Sequence, residues 1–337
     1  MAYFVFGVLF YMLVKQKIQI MAIMKIKSLG LSLLVIASIF SCNKSKESKF
    51  SDGPAQGEIS VAVDESFQPL LIAEKTAFEN NYHFAKINFD FHAENEAVAD
   101  LLNEKVRAVV VTRDLTEKEK EIFTREKVTY RSYNFAADGL ALLVHPQNVD
   151  TLISLPALKS LLTGEKITWE SLGAKGARGE VALVVDKANS SNIKFLVDKF
   201  GLDTNKPLPI FAAGSNKAVI EYVKSHPNAL GIIGSNWISD GDNPTSLGFI
   251  RSVHVMSVSE KSSSTAGDFY QPFGYNLALK KYPLRRDVKI ILKESHMGLG
   301  TGFVNYVCGD MGQLIVLKAG LIPLTRPITI RQYQISQ

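Results

Sequence analysis

From Glu58 onward, short runs of β-branched and apolar residues alternate with stretches of helical spacing. A chain that switches repeatedly between a period of 2 and a period of 3.6 must bury both kinds of element together. The stable solution is an α/β architecture, with helices packed on the faces of a sheet. Residues 59–63, 86–91 and 108–112 read as strands, separated by helical patterns over 70–79 and 97–103. Further strands are expected over 127–135 and 140–144. A second set follows: a helix over 155–162, a strand over 181–185, helices over 193–200 and 217–224, and a strand over 230–233. Late in the chain, 275–279 reads as a strand and 301–307 and 312–319 as helices. The 337 residues, 46% of them hydrophobic, suit two lobes better than one small domain.

The first 41 residues belong to another kind of segment. From Met24 the chain runs Met-Lys-Ile-Lys-Ser, then an apolar stretch over 29–40, then Ser41-Cys42. A basic start, a short apolar core and a small residue before a cleavage point make a secretory signal. The apolar stretch is shorter than the about 20 residues a membrane-spanning helix needs. A cysteine directly after the small residue resembles a bacterial lipoprotein signal, which would make Cys42 the lipidated first residue of the mature chain. Residues 43–57, rich in Ser, Lys, Glu and Gly, read as a flexible tether. An earlier apolar run over 3–14 leaves Met1, Met21 and Met24 open as the start of translation.

Composition removes several function classes. The net charge of +5 comes largely from Lys15, Lys17, Lys25 and Lys27 in the leader, so the remainder is close to neutral and no nucleic-acid partner is expected. No nucleophile-elbow, phosphate-loop or dinucleotide-binding pattern occurs, and an enzyme is not expected. The six histidines are scattered, without the four-residue pairing of zinc proteases, so neither a metal nor a cofactor is expected. Cys308, in an apolar helical pattern, reads as a buried small hydrophobe; a bond to Cys42 is the alternative to lipidation.

Four segments, in order, resemble the phosphate-type substrate-binding proteins of ABC importers: 138–146 (Asp-Gly-Leu-Ala-Leu-Leu-Val-His-Pro), 228–234 (Asn-Ala-Leu-Gly-Ile-Ile-Gly), 282–286 (Tyr-Pro-Leu-Arg-Arg) and 318–323 (Lys-Ala-Gly-Leu-Ile-Pro). The resemblance implies an α/β, two-lobed type II periplasmic-binding-protein fold whose lobes close over a ligand about a hinge of two crossover strands. Lobe one would combine residues 58–139 with 268–337 and lobe two would be 140–267, with crossovers near 137–144 and 271–279.

It also implies where a ligand sits. Helix N-termini offer free N–H groups and a favourable dipole to an anion. Ser66-Phe67 is similar to the family's Thr-Phe pair, and Ser190-Ser191-Asn192 to its Ser-Gly-Thr turn; Ser215-Asn216 opens a third helix. Each also suits an ordinary N-cap. The family's arginine shortly before that turn, and the aspartate two residues after the arginine, align with Asp186 and Ala188. Its aspartate at the end of the third strand aligns roughly with Thr112, and the following Arg113 is the expected replacement cation, or else the partner of a nearby carboxylate. The expectation is a monomeric, membrane-anchored lipoprotein of the cell envelope that captures a small oxyanion, phosphate first, for an ABC permease. The alternative is the same fold kept as an accessory surface receptor uncoupled from transport.

Overall fold

The chain's structure, a computed structural model, describes residues 52–262 and 265–329; the leader, Cys42 and most of the expected tether lie outside the described residues. β1 (Gln56–Asp64) begins two residues inside the stretch read as tether, and it alternates buried positions at Gly57, Ile59 and Val61. α1 (Gln68–Asn81) starts with a proline in its first turn, where the missing N–H costs nothing. It returns the chain to β2 (Phe84–His92), parallel to β1. α2 (Glu94–Leu102) then leads to β3 (Ala108–Val111), which pairs with the other side of β1. α3 (Glu117–Arg125) opens with a reciprocal capping box between Thr116 and Glu119.

The strand expected from residue 127 starts only at Arg131. Lys127 has φ +56°, a left-handed turn that ends the helix before extended backbone can begin. From there β4 (Arg131–Val144) runs unbroken for 14 residues and absorbs the separate strand expected over 140–144.

The second half repeats the alternation: β5 (Leu152–Ser154), α4 (Leu155–Leu162), β6 (Ala182–Val185), α5 (Ser191–Phe200), β7 (Phe211–Ala212), α6 (Asn216–Ser225) and β8 (Ala229–Gly234). α7 (Pro244–Ser252), β9 (His254–Val255), β10 (Ser257–Ser259) and α8 (Gly274–Ala278) follow. The chain closes with β11 (Arg285–Leu292), α9 (Leu299–Val307), α10 (Asp310–Lys318) and β12 (Ile322–Pro323). The expected strand over 275–279 is therefore the short helix α8 and its end. An apolar run of that length has no periodicity that separates helix from strand.

The main path of the sheet runs β2-β1-β3-β11-β4-β8-β6-β7. β4 belongs to both halves: Arg131 to Gly139 pair antiparallel with β11, and Leu140 to Val144 pair antiparallel with β8. Around the first half of β4, Ile59, Val61, Phe67, Phe78, Ile290 and Phe303 form one core. Around its second half, Leu140, Leu142, Leu158, Trp169, Leu183 and Ile232 form another. Leu277, Tyr282 and Leu284 pack with the second core before β11 re-enters the first. At the junction the Tyr282 hydroxyl donates to the Leu140 carbonyl, 2.5 Å. A Cβ on Gly139 would lie 3.0 Å from the Tyr282 ring, so the ring packs closely over this glycine at the crossing. Cys308, expected to be buried inside a helix, is the half-buried C-cap of α9.

Candidate functional site

The C-terminal end of β1 and the N-terminus of α5 meet where the two halves of the molecule face each other. Asp64 ends β1, and its carboxylate accepts the Ser66 N–H at 3.0 Å, tightening a 3-10 turn over Glu65–Phe67 that feeds α1. Across from it, Ser190 caps α5 by accepting the Ile193 N–H, which leaves Ser191 and Asn192 buried in the first turn. The Ser66 hydroxyl lies 3.4 Å from the Ser191 hydroxyl and donates to Asn192 Oδ1 at 3.3 Å. The Ser66 carbonyl accepts from Asn236 Nδ2 at 2.6 Å and from the Trp237 indole at 3.0 Å.

Among the described residues, the cation hydrogen-bonded into this group is Arg286 on β11. Its Nε and Nη2 grip the two oxygens of Asp138, on β4, at 2.8 and 3.2 Å, and its Nη1 donates to Ser191 Oγ at 3.2 Å. The guanidinium carbon stands 5.0 Å from the centre of the Phe67 ring, and the residue is only 4% exposed. A planar fork on a carboxylate, stacked on an aromatic face, is how arginine tolerates such burial. Burial works against its charge, but Asp138, with Asp64 and Glu94 beyond, outweighs it and raises the guanidinium's pKa. Gly234, at the end of β8, passes through the same point. A Cβ there would sit 3.2 Å from the Ser66 carbonyl oxygen and 3.3 Å from Arg286 Nη2.

The surrounding groups are mostly acids. Burial, reinforced by the nearby Glu94, pushes Asp64 up to about 7, against the pull of Arg286, Ser191 and the Ser66 N–H. Burial also raises Asp138, Asp186 and Glu65. Asn216, at the start of α6, connects them: its amide donates to Glu65 Oε2 at 2.5 Å and to Asp186 Oδ2 at 3.4 Å.

The structure brings Ser66, Phe67, Ser191 and Asn192 together. Ser190 is occupied as a cap, and Ser215 likewise caps α6 by accepting the Ala218 N–H. Thr112 and Arg113 meet the cluster only through Glu94. Thr112 donates to Glu94 from its N–H and its hydroxyl, at 2.6 and 2.7 Å. Arg113 is held by both oxygens of Glu119, at 2.8 and 2.9 Å, with Glu94 3.7 Å from its Nε. Arg286 and Asn236 were not among the expected site residues, and Asn216 was singled out only with Ser215 as the opening of a third helix. For Arg286 a signal existed: 286, 288 and 290 alternate as one face of a strand, so a charge heads an otherwise apolar face.

Known proteins carry the same architecture. Residues 48–310 match the model of the PBP superfamily domain. The phosphate-binding protein PstS of Bacillus subtilis (strain 168) is 24% identical over 313 residues, which cover 90% of this chain and 96% of that protein. A structure described as a phosphate ABC transporter substrate-binding protein with bound phosphate, from Clostridium perfringens, superposes with a TM-score of 0.67 at 21% identity, covering 80% of this chain and all of that one. An ABC-type phosphate transport receptor from Vibrio cholerae gives 0.59 at 17% identity, covering 78% and 99%.

Proposed function

The chain belongs to the PBP superfamily, and from that premise we propose that it is an extracytoplasmic solute-binding protein that captures a small oxyanion, phosphate first, between its two lobes. The observation that carries this reading is the meeting of Ser66 and Ser191, from helix starts on opposite halves, with a buried guanidinium 3.2 Å from the Ser191 hydroxyl. Hydroxyls, first-turn N–H groups and an arginine are the donor set that oxyanions require. Ser66, Phe67, Ser191 and Asn192 would form the binding surface, and Ser190 would set the helix start. Arg286 takes the part expected of Arg113, which with Thr112 would act only through Glu94. Residues 58–139 with 268–337 and residues 140–267 would be the lobes.

Delivery to an ABC permease and anchoring through a lipid on Cys42 complete the proposal. The phosphate-transport descriptions of its relatives support the first and the Ser41-Cys42 pattern supports the second. Calorimetric titration of the purified chain with phosphate, sulfate and small organic anions tests the core of it. Tight phosphate binding that Ser191→Ala weakens by at least about tenfold, the loss of one charge-assisted hydrogen bond, is expected. No heat with any oxyanion from a folded protein would overturn it and favour the accessory-receptor reading. Metabolic labelling with palmitate, lost in Cys42→Ala, tests the anchor.

A further inference from the structure

Beside the meeting of Ser66 and Ser191 lies a cavity of about 520 Å³. Its position follows from the sequence of α5. Ser190, Ile193, Lys194 and Val197 recur at spacings of three and four, so they share one helix face, beside the one that carries Ser191. Opposite them runs the segment 203–210, which contains Pro207 and Pro209. Each proline lacks an N–H and fixes its own φ, so this stretch forms no helix that could pack down on α5. Leu208 and Ile210 instead face Ile193 and Val197 across the cavity.

Two residues tie this space to the oxyanion site. Ser190 belongs to both, because its hydroxyl caps the helix start that presents Ser191 while the residue lines the cavity. From the other half of the molecule Asn95, in the first turn of α2, reaches the rim. Its Oδ1 accepts from Arg113 Nη2 at 3.2 Å, and the preceding Glu94 holds the Thr112 N–H. The cavity is therefore bounded on both sides by elements whose first turns border the cleft. Ala188, aligned with an aspartate of the family's turn, contributes only a methyl to the wall.

The wall and the rim differ in chemistry. Ile193, Val197, Leu208 and Ile210 make the wall apolar. At the rim, Lys194 pairs with Asp198 at 3.1 Å, and Asp203 accepts from the Asn205 N–H and Nδ2, each at 3.0 Å. Small-molecule sites are concave and mostly apolar, with a few polar groups that fix orientation, as here.

We propose that the solute is an organic phosphate, a monoester whose short apolar alcohol lies along Ile193, Val197, Leu208 and Ile210, a proposal that rests on the oxyanion reading given above. A monoester keeps three terminal oxygens for Ser66, Ser191 and the first-turn N–H groups of α5. Its ester oxygen carries neither hydrogen nor charge, so an arm can leave the head there, past Ser190, without giving up a charged contact. Inorganic phosphate fills the head position alone and leaves the apolar wall to water.

Calorimetric titration of the full chain with inorganic phosphate and with methyl, ethyl and butyl phosphate tests this. Each methylene taken out of water is worth about fourfold in affinity. Butyl phosphate should therefore bind at least about tenfold more tightly than methyl phosphate. Val197→Glu, which sets a carboxylate in the wall, should abolish that gain and leave the affinity for inorganic phosphate unchanged. Leu208→Glu makes the same test from the facing side, so a folding failure of one variant leaves the other. An affinity that stays flat or falls with chain length, with inorganic phosphate still bound, would overturn the proposal and leave the oxyanion reading standing. So would a gain that survives both substitutions, because the arm would then lie elsewhere. Binding of none of the four solutes would overturn both.

Discussion

Removing Arg286 leaves Asp138 alone. Its carboxylate is fully buried, and the hydrogen bonds it accepts from side chains are the two from Arg286. In Arg286→Met the acid must either stay charged without a partner or take up a proton at neutral pH. Breaking one side of a buried pair in this way costs about 3–5 kcal/mol. The reverse change is expected to be milder. In Asp138→Asn the guanidinium still has Ser191 at 3.2 Å and the Phe67 ring beneath it, and Asp64 can ionise to replace the lost charge. A cost at the lower end of that range, near ~3 kcal/mol, follows. Arg286→Met combined with Asp138→Leu removes both charges and refills the space with apolar atoms, so it should recover to within about 2 kcal/mol of the parent. Urea unfolding of the four proteins forms a double-mutant cycle. Arg286→Met costing less than about 1 kcal/mol would refute the reasoning, because the site would then be wetter than its 4% exposure implies. So would a double variant no more stable than the worse single one.

Other outcomes follow from the same physics. Glu74 sits on the buried face of α1 with neither carboxyl oxygen partnered, and burial pushes it up to about 9; Glu74→Met, of similar volume, should stabilise the protein by about 1–3 kcal/mol in urea unfolding at pH 8. The folded protein holds the Asp64 proton to about 7, against 3.8 when unstructured, so that proton's contribution is full below pH 3.8 and lost as pH passes 7. Stability measured between pH 5 and 8 should therefore decline with rising pH, and Asp64→Asn should flatten the decline. A Cβ on Gly302 would stand 1.8 Å from the Pro54 carbonyl oxygen, so Gly302→Ala should cost about 1–3 kcal/mol and expose the segment around Pro54 to limited proteolysis. The Cys308 thiol, raised to about 11 by burial and the neighbouring Glu74, should react with iodoacetamide at pH 8 about a hundredfold more slowly than free cysteine.

The α/β alternation was legible because strands such as 108–111 are unbroken runs of alanine and valine, whereas helices such as 191–200 carry a 3.6-residue period. The helix start at Ser190 was legible too, since capping chemistry is local, whereas Ser66 lies inside the 3-10 turn capped by Asp64, ahead of the Phe67 N-cap of α1. What escaped was relational. Arg285-Arg286 looks like any exposed basic pair unless 285–292 is taken as a strand with 286, 288 and 290 on one face, and the pairing of β11 then turns Arg286 towards Asp138. Arg113 looks unpartnered when taken alone and is engaged once Glu119, six residues on, folds back to it. Asn216 opens a helix and Asn236 lies in the turn after a strand, positions that many chains possess. Nothing in their neighbours announces that both reach towards the turn of Ser66 from 150 or more residues away.

The place of β11 within the sheet has a consequence for how the protein is made. This strand lies between β3 and β4, although residues 108–144 precede it by well over a hundred positions. The first half of the molecule therefore emerges from synthesis with a gap in the middle of its sheet. The edges of β3 and β4 stay unpaired until the last fifth of the chain arrives, and closing so long a loop is slow. A chain that cannot finish its own centre early remains extended for longer, which is the state in which a polypeptide can be threaded across a membrane before it folds.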